Sequence, residues 1–96
     1  MRRTNTQPLK VYIEAYLRSL GLDKQMSEMR LIRSWEEVAG KYVARSTTDI
    51  YIKNRVLFVS VQSSILRSEL LMHKSLLIER LNQKAESKLI DDIVLR

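Results

Sequence analysis

Cysteine is absent from these 96 residues, and glycine and proline are nearly so, with two of the first and one of the second. No cysteine means no disulfide, no thiolate metal ligand and no cysteine nucleophile, and it fits a reducing compartment. Two isolated glycines cannot build a phosphate-cradling loop or a nucleophile elbow. A single histidine, His73, leaves no cluster for a metal or a catalytic triad. Long apolar runs are missing too: none nears the ~18 residues of a membrane span. The opening Met-Arg-Arg-Thr-Asn-Thr is followed by no apolar segment of the kind an export signal carries. A cytoplasmic chain without membrane, cofactor, metal or small-molecule substrate is expected, and no residue set offers itself as catalytic.

What is present is positive charge. Lys and Arg total 17 against 11 Asp and Glu, a net +6, so polyanions are drawn in and release their counterions on binding. Hydrophobic residues make up 45%, enough for one folded domain over residues 7–96, with residues 1–6 as a flexible basic arm.

Periodicity divides the chain. Leu9, Tyr12, Ile13, Tyr16, Leu17 and Leu20 recur at spacings of three and four, which predicts an amphipathic helix over 8–20 with Pro8 in its first turn and an apolar stripe that must pack somewhere. Gly21 terminates it, Leu22 folds back, and Asp23 caps a second helix over 24–39 whose stripe is Leu31, Ile32, Trp35, Val38 and Ala39. Gly40 ends that helix, and a helical turn follows over 41–45. Residues 49–53 and 56–62 alternate with a period of two and predict a hairpin closed by Asn54-Arg55. That loop pairs Lys53 with Val56, Ile52 with Leu57, Tyr51 with Phe58 and Ile50 with Val59. One face is then aliphatic, and the other carries Tyr51, Phe58 and Lys53. Ser63 or Ser64 caps a long central helix over 64–86, with Leu66, Leu70, His73, Leu77 and Leu81 inward and Ile65, Met72 and Leu76 beside them. Residues 89–96 close the chain as a strand parallel to one hairpin strand. The class is α+β, αα-ββ-α-β, with a three-stranded mixed sheet packed on helices.

Within this frame Trp35 and Gly40 are structural anchors, a core aromatic and a helix stop. His73 falls on the buried stripe as a core or boundary residue. Asp91 and Asp92 are adjacent on a strand and point to opposite faces, so they make no metal pair. Arg2, Arg3, Lys41, Arg45, Lys53 and Arg55 are the candidate nucleic-acid contacts, gathered at one end by the hairpin tip and the arm. Arg67, Lys74, Lys84 and Lys88 interleave with Glu69, Glu79 and Glu86 as a solvated face of the long helix. Tyr51 and Phe58 either stack bases, with Lys53 beside them, or lie under the N-terminal helices as core; the second is the simpler expectation.

The order Trp35-Glu-Glu-Val-Ala-Gly40, Ala44-Arg-Ser46, Val56-Leu-Phe-Val-Ser-Val61, Ser63-Ser-Ile-Leu-Arg-Ser-Glu-Leu70 and Leu89-Ile-Asp-Asp-Ile-Val-Leu-Arg96 resembles the DciA family over about residues 9–96. The resemblance implies a KH-like domain in a non-enzymatic adaptor that engages the bacterial replicative helicase and single-stranded or forked DNA during helicase loading. A basic segment that many members carry has no counterpart in these residues, so helicase contact is expected from the folded domain or the arm. There is also no Gly-x-x-Gly clamp of the kind KH domains use for RNA. The alternative is an RNA-binding or ribosome-associated KH-like module using Tyr51, Phe58 and Lys53.

Overall fold

A computed structural model describes residues 7–96, so Arg2, Arg3 and the expected arm lie outside the described residues. The elements are α1 (Gln7–Ser19), α2 (Asp23–Arg33), α3 (Trp35–Ala39), α4 (Lys41–Ser46), β1 (Thr47–Lys53), β2 (Val56–Val61), α5 (Ser64–Met72), α6 (Lys74–Ala85) and β3 (Asp92–Leu95). The sheet order is β1-β2-β3, with β1 antiparallel and β3 parallel to β2. The chain is α+β, and its mixed three-stranded sheet has the expected hairpin register from Ile50↔Val59 to Lys53↔Val56.

The core lies on one face of this sheet. Leu57, Val59, Val61 and Ile93 point inward and meet Leu31, Trp35, Leu77, Leu81 and Ala85 from the helices, with Leu70, Val43 and Ile90 closing the edges. Alternation alone decides this, since each strand offers every second side chain to the helices.

Two expected helices are broken. Ser34 interrupts the second, its hydroxyl donating to the Leu31 carbonyl at 2.6 Å, the back-bonding by which serine bends helices. The long helix breaks at His73 (φ −117°, ψ 22°), which leaves the imidazole exposed rather than on a buried stripe. The apolar stripe continues across the break, with Leu70, Leu77 and Leu81 buried, while Ile65 and Met72 before it and Leu76 after it stand in solvent. Ser63 is the cap of α5, accepting from the Leu66 N–H at 3.2 Å.

Gly21 acts as expected. At φ +75° it lets the Leu22 N–H reach the Leu17 carbonyl (3.1 Å) while its own reaches Arg18 (3.0 Å). Asp23 is not the cap of α2 but its first residue, with Leu22 at the N-cap. The last strand is shorter than expected because Asn82 claims its approach. Its Oδ1 accepts from the N–H groups of Leu89 and Ile90, at 3.0 and 3.1 Å, and its Nδ2 donates to the Ile90 carbonyl.

The largest departure is α1. Only its Glu14 and Leu17 side leans on α2, so the stripe expected to pack stands largely in solvent: Leu9 is 61% exposed, Tyr12 72%, Tyr16 64% and Ile13 49%.

Candidate nucleic-acid interface

The face of the sheet away from the core carries Tyr51 and Lys53 of β1, Val56 and Phe58 of β2, and Asp92 and Val94 of β3, by the same alternation that buries their neighbours. Tyr51 and Phe58, directly opposite across the strands, stack with ring centroids 5.0 Å apart and planes 13° from parallel. Their cover is not the N-terminal helices. It is Arg96, whose guanidinium lies 5.1 Å from the Phe58 centroid and 5.8 Å from that of Tyr51 and donates to the Tyr51 hydroxyl. Arg96 was not singled out from the sequence. It reaches this face because Val94 pairs with Phe58 in the parallel ladder and Arg96 lies two residues on.

The hairpin tip is a two-residue loop with both residues in the left-handed region, Asn54 at φ 53° and Arg55 at φ 65°. Asn tolerates this and Arg does so poorly, so Arg55 needs an external hold. Asp91 supplies it through a two-pronged ion pair, Nε to Oδ2 at 2.7 Å and a second guanidinium nitrogen to Oδ1 at 2.9 Å. The Asp91 N–H also donates to the Arg55 carbonyl at 2.8 Å. The guanidinium, named above as a phosphate contact, thus ties the hairpin to the start of β3. Hydrogen bonding from Arg55 holds the Asp91 carboxyl below the usual carboxylate range, helped by the nearby charge of Lys88. Lys74 does the same for Asp92, at 2.7 Å, with the Ile93 N–H donating to that carboxylate.

Lys53 is exposed at the end of β1 and makes no ion pair among the described residues. Lys41 and Arg45 sit at the other end of the strand on α4, around a shallow hollow with Glu36 and Ala44. Gly40 puts them there: φ 101° and ψ 161° turn the chain sharply between α3 and α4, in a region only glycine occupies without strain. From Thr47 to Lys53 the strand covers roughly 20 Å. Among the described residues the candidate cations therefore do not gather at one end: Lys41 and Arg45 precede the edge strand β1, and Lys53 and Arg55 stand at its hairpin end. Asp49 shares that edge as a carboxylate without an ion-pair partner among the described residues.

Trp35 is buried beneath this edge, 4% exposed, its indole N–H donating to Thr47 Oγ at 3.0 Å. The Thr47 hydroxyl donates onward to the Val43 carbonyl at 2.7 Å, which fixes α3, α4 and the first residue of β1 to one another.

The second basic group does not pair with the glutamates of its own helices. Lys84 reaches Glu37, Lys74 reaches Asp92, and Arg67 donates to the Val61 carbonyl, so three of its four members hold the fold together. No group of three or more His, Cys, Asp or Glu side chains among the described residues is arranged to hold a metal ion. No helix among them is long and apolar enough to cross a membrane.

Comparison with protein families gives a match. The family model described as "Dna[CI] antecedent, DciA" covers residues 8–95, nearly the whole chain. No curated protein and no solved structure matches it.

Proposed function

The chain belongs to the DciA family, which is associated with replicative helicase loading, and from that premise we propose a non-enzymatic adaptor that binds both the replicative helicase and single-stranded or forked DNA. The observation that carries the DNA half is the edge of β1. Cations without an ion-pair partner among the described residues stand at its two ends, Lys41 and Arg45 before it and Lys53 at its close, with the Tyr51 and Phe58 rings and the Arg96 guanidinium on the strands between. A single strand laid along this edge has phosphates within reach of cations and bases within reach of rings, a sequence-tolerant mode suited to a loader. Arg55 is left out of this contact set because its guanidinium fork is engaged by Asp91.

Titrating a labelled single strand at several salt concentrations tests this. Lys53→Glu should weaken binding and lower the slope of log K against log salt by about 0.7 for the lost phosphate contact. The circular dichroism spectrum should not change, since Lys53 is exposed and unpaired. Unaltered affinity and slope would remove β1 from the interface.

The stacked pair also favours a second reading, an RNA-binding module, because ring stacking serves either polymer. Strong preference for RNA over DNA of the same sequence would select it, since only contacts to the 2′-hydroxyl separate the two.

A further inference from the structure

The apolar band of α1 and the groove beside it are not accounted for by DNA. The groove, of about 540 Å³, runs between α1 and α2 and is floored by Leu9, Ile13, Leu17, Met26 and Met29. Tyr12, Tyr16 and Leu20 continue the apolar surface along α1, each more than half exposed. A contiguous apolar surface of this kind on a small domain marks a place where another molecule sits. Two methionines in the floor make it adaptable to the side chains it receives.

The rim says what kind of molecule. Lys10, Arg30 and Arg33 line the groove against one carboxylate, Glu14, and Glu14 is already paired with Arg30 at 3.6 Å. Lys10 and Arg33 make no ion pair among the described residues. An apolar trough flanked by two uncompensated cations fits an amphipathic helix whose apolar stripe is bordered by Asp or Glu. A second copy of this chain fits poorly. It would bring its own Lys10 and Arg33 to the same rim, while its Glu14 is turned toward Arg30, setting like charges together around the apolar contact. A nucleic acid would use the cations but leave the apolar floor unsatisfied.

We propose that the α1–α2 groove receives a surface helix of the replicative helicase, one with an apolar stripe flanked by carboxylates. This rests on the reading that the chain engages the helicase, and it assigns that contact to a surface separate from the β1 edge. One adaptor then holds motor and DNA at once.

The test measures binding of the purified replicative helicase to the unmodified chain and to three variants: Ile13→Glu, the double variant Lys10→Glu with Arg33→Glu, and Lys53→Glu. All four positions are exposed, so circular dichroism should show the fold retained. Ile13→Glu should weaken helicase binding by about tenfold or more, as expected for loss of an apolar anchor. The double charge reversal should weaken it by a comparable factor that shrinks as salt is raised. Lys53→Glu should leave it unchanged while impairing DNA binding. Helicase affinity unmoved by Ile13→Glu and by the double reversal would overturn the assignment of the groove. So would sedimentation showing a dimer of the unmodified chain that Ile13→Glu dissociates, or binding to anionic phosphatidylserine vesicles that Ile13→Glu abolishes with helicase binding intact. If the unmodified chain itself fails to bind the helicase, the helicase reading falls and the groove assignment with it, a result distinct from failure of the groove alone.

Discussion

Replacing Trp35 by alanine separates a core anchor from a binding anchor. The indole is 4% exposed and packs among the sheet-facing core residues, so its removal leaves a cavity as well as losing transfer free energy. Aromatic-to-alanine changes at such sites cost about 3–5 kcal/mol. Against a total stability of roughly 5–15 kcal/mol for a domain of this size, that is a large share. The corresponding fall in melting temperature is about 15–30 °C. Trp35→Phe keeps most of the volume but loses the N–H that donates to Thr47, so about 1–2 kcal/mol is expected. Thr47→Val leaves both that N–H and the Val43 carbonyl without their partner, and about 1–3 kcal/mol is expected. Urea unfolding of the three variants, followed by far-ultraviolet circular dichroism, gives the ranking. A Trp35→Ala protein within about 1 kcal/mol of the parent, well below the range for a buried aromatic, would refute the packing argument.

Gly40→Ala should cost about 1–3 kcal/mol in the same assay, entirely through the backbone, because no atom crowds the added methyl and only φ and ψ object. Asp91 and Asp92 titrate below the usual carboxylate range in the folded chain, so their ion pairs contribute stability above about pH 4 and lose it as pH falls through the depressed values. Urea midpoints should therefore drop in acid, and Asp91→Asn should lower the midpoint at pH 7 and flatten its acid dependence; an unchanged profile would show the pair with Arg55 to be inert. Arg96→Ala should weaken single-stranded DNA binding and leave Tyr51 and Phe58 more accessible, read by anisotropy and by tyrosine fluorescence quenching.

Much of the architecture was legible because local chemistry and packing agree. Gly21 with Leu22, the two-residue loop with its register, and the alternation in β2 each point one way, and the structure follows. The helix breaks were not legible. Ser34 bends its helix through one hydroxyl bond to Leu31, a choice serine makes at some helical positions and not at others. At His73 no residue type announces the interruption, and the structure offers no single physical cause for it. The packing of α1 was misjudged for a different reason. An apolar stripe states that a face wants burial but not that this chain supplies the partner, and Tyr12 and Tyr16 remain in solvent. At the candidate site, charge counting treated all exposed arginines alike. Arg55 is consumed by Asp91, thirty-six residues away in sequence, and Arg96 is carried onto the aromatic face by a parallel pairing whose register no local pattern encodes.

The most direct measurement of the account is helicase loading onto a closed circular single strand, which offers no free end. Purified replicative helicase retained on the circle should rise when this chain is added, fall back with Ile13→Glu, and fall back separately with Lys53→Glu. Equal retention with and without the chain, under conditions where each binary contact forms, would contradict the claim that it brings motor and DNA together.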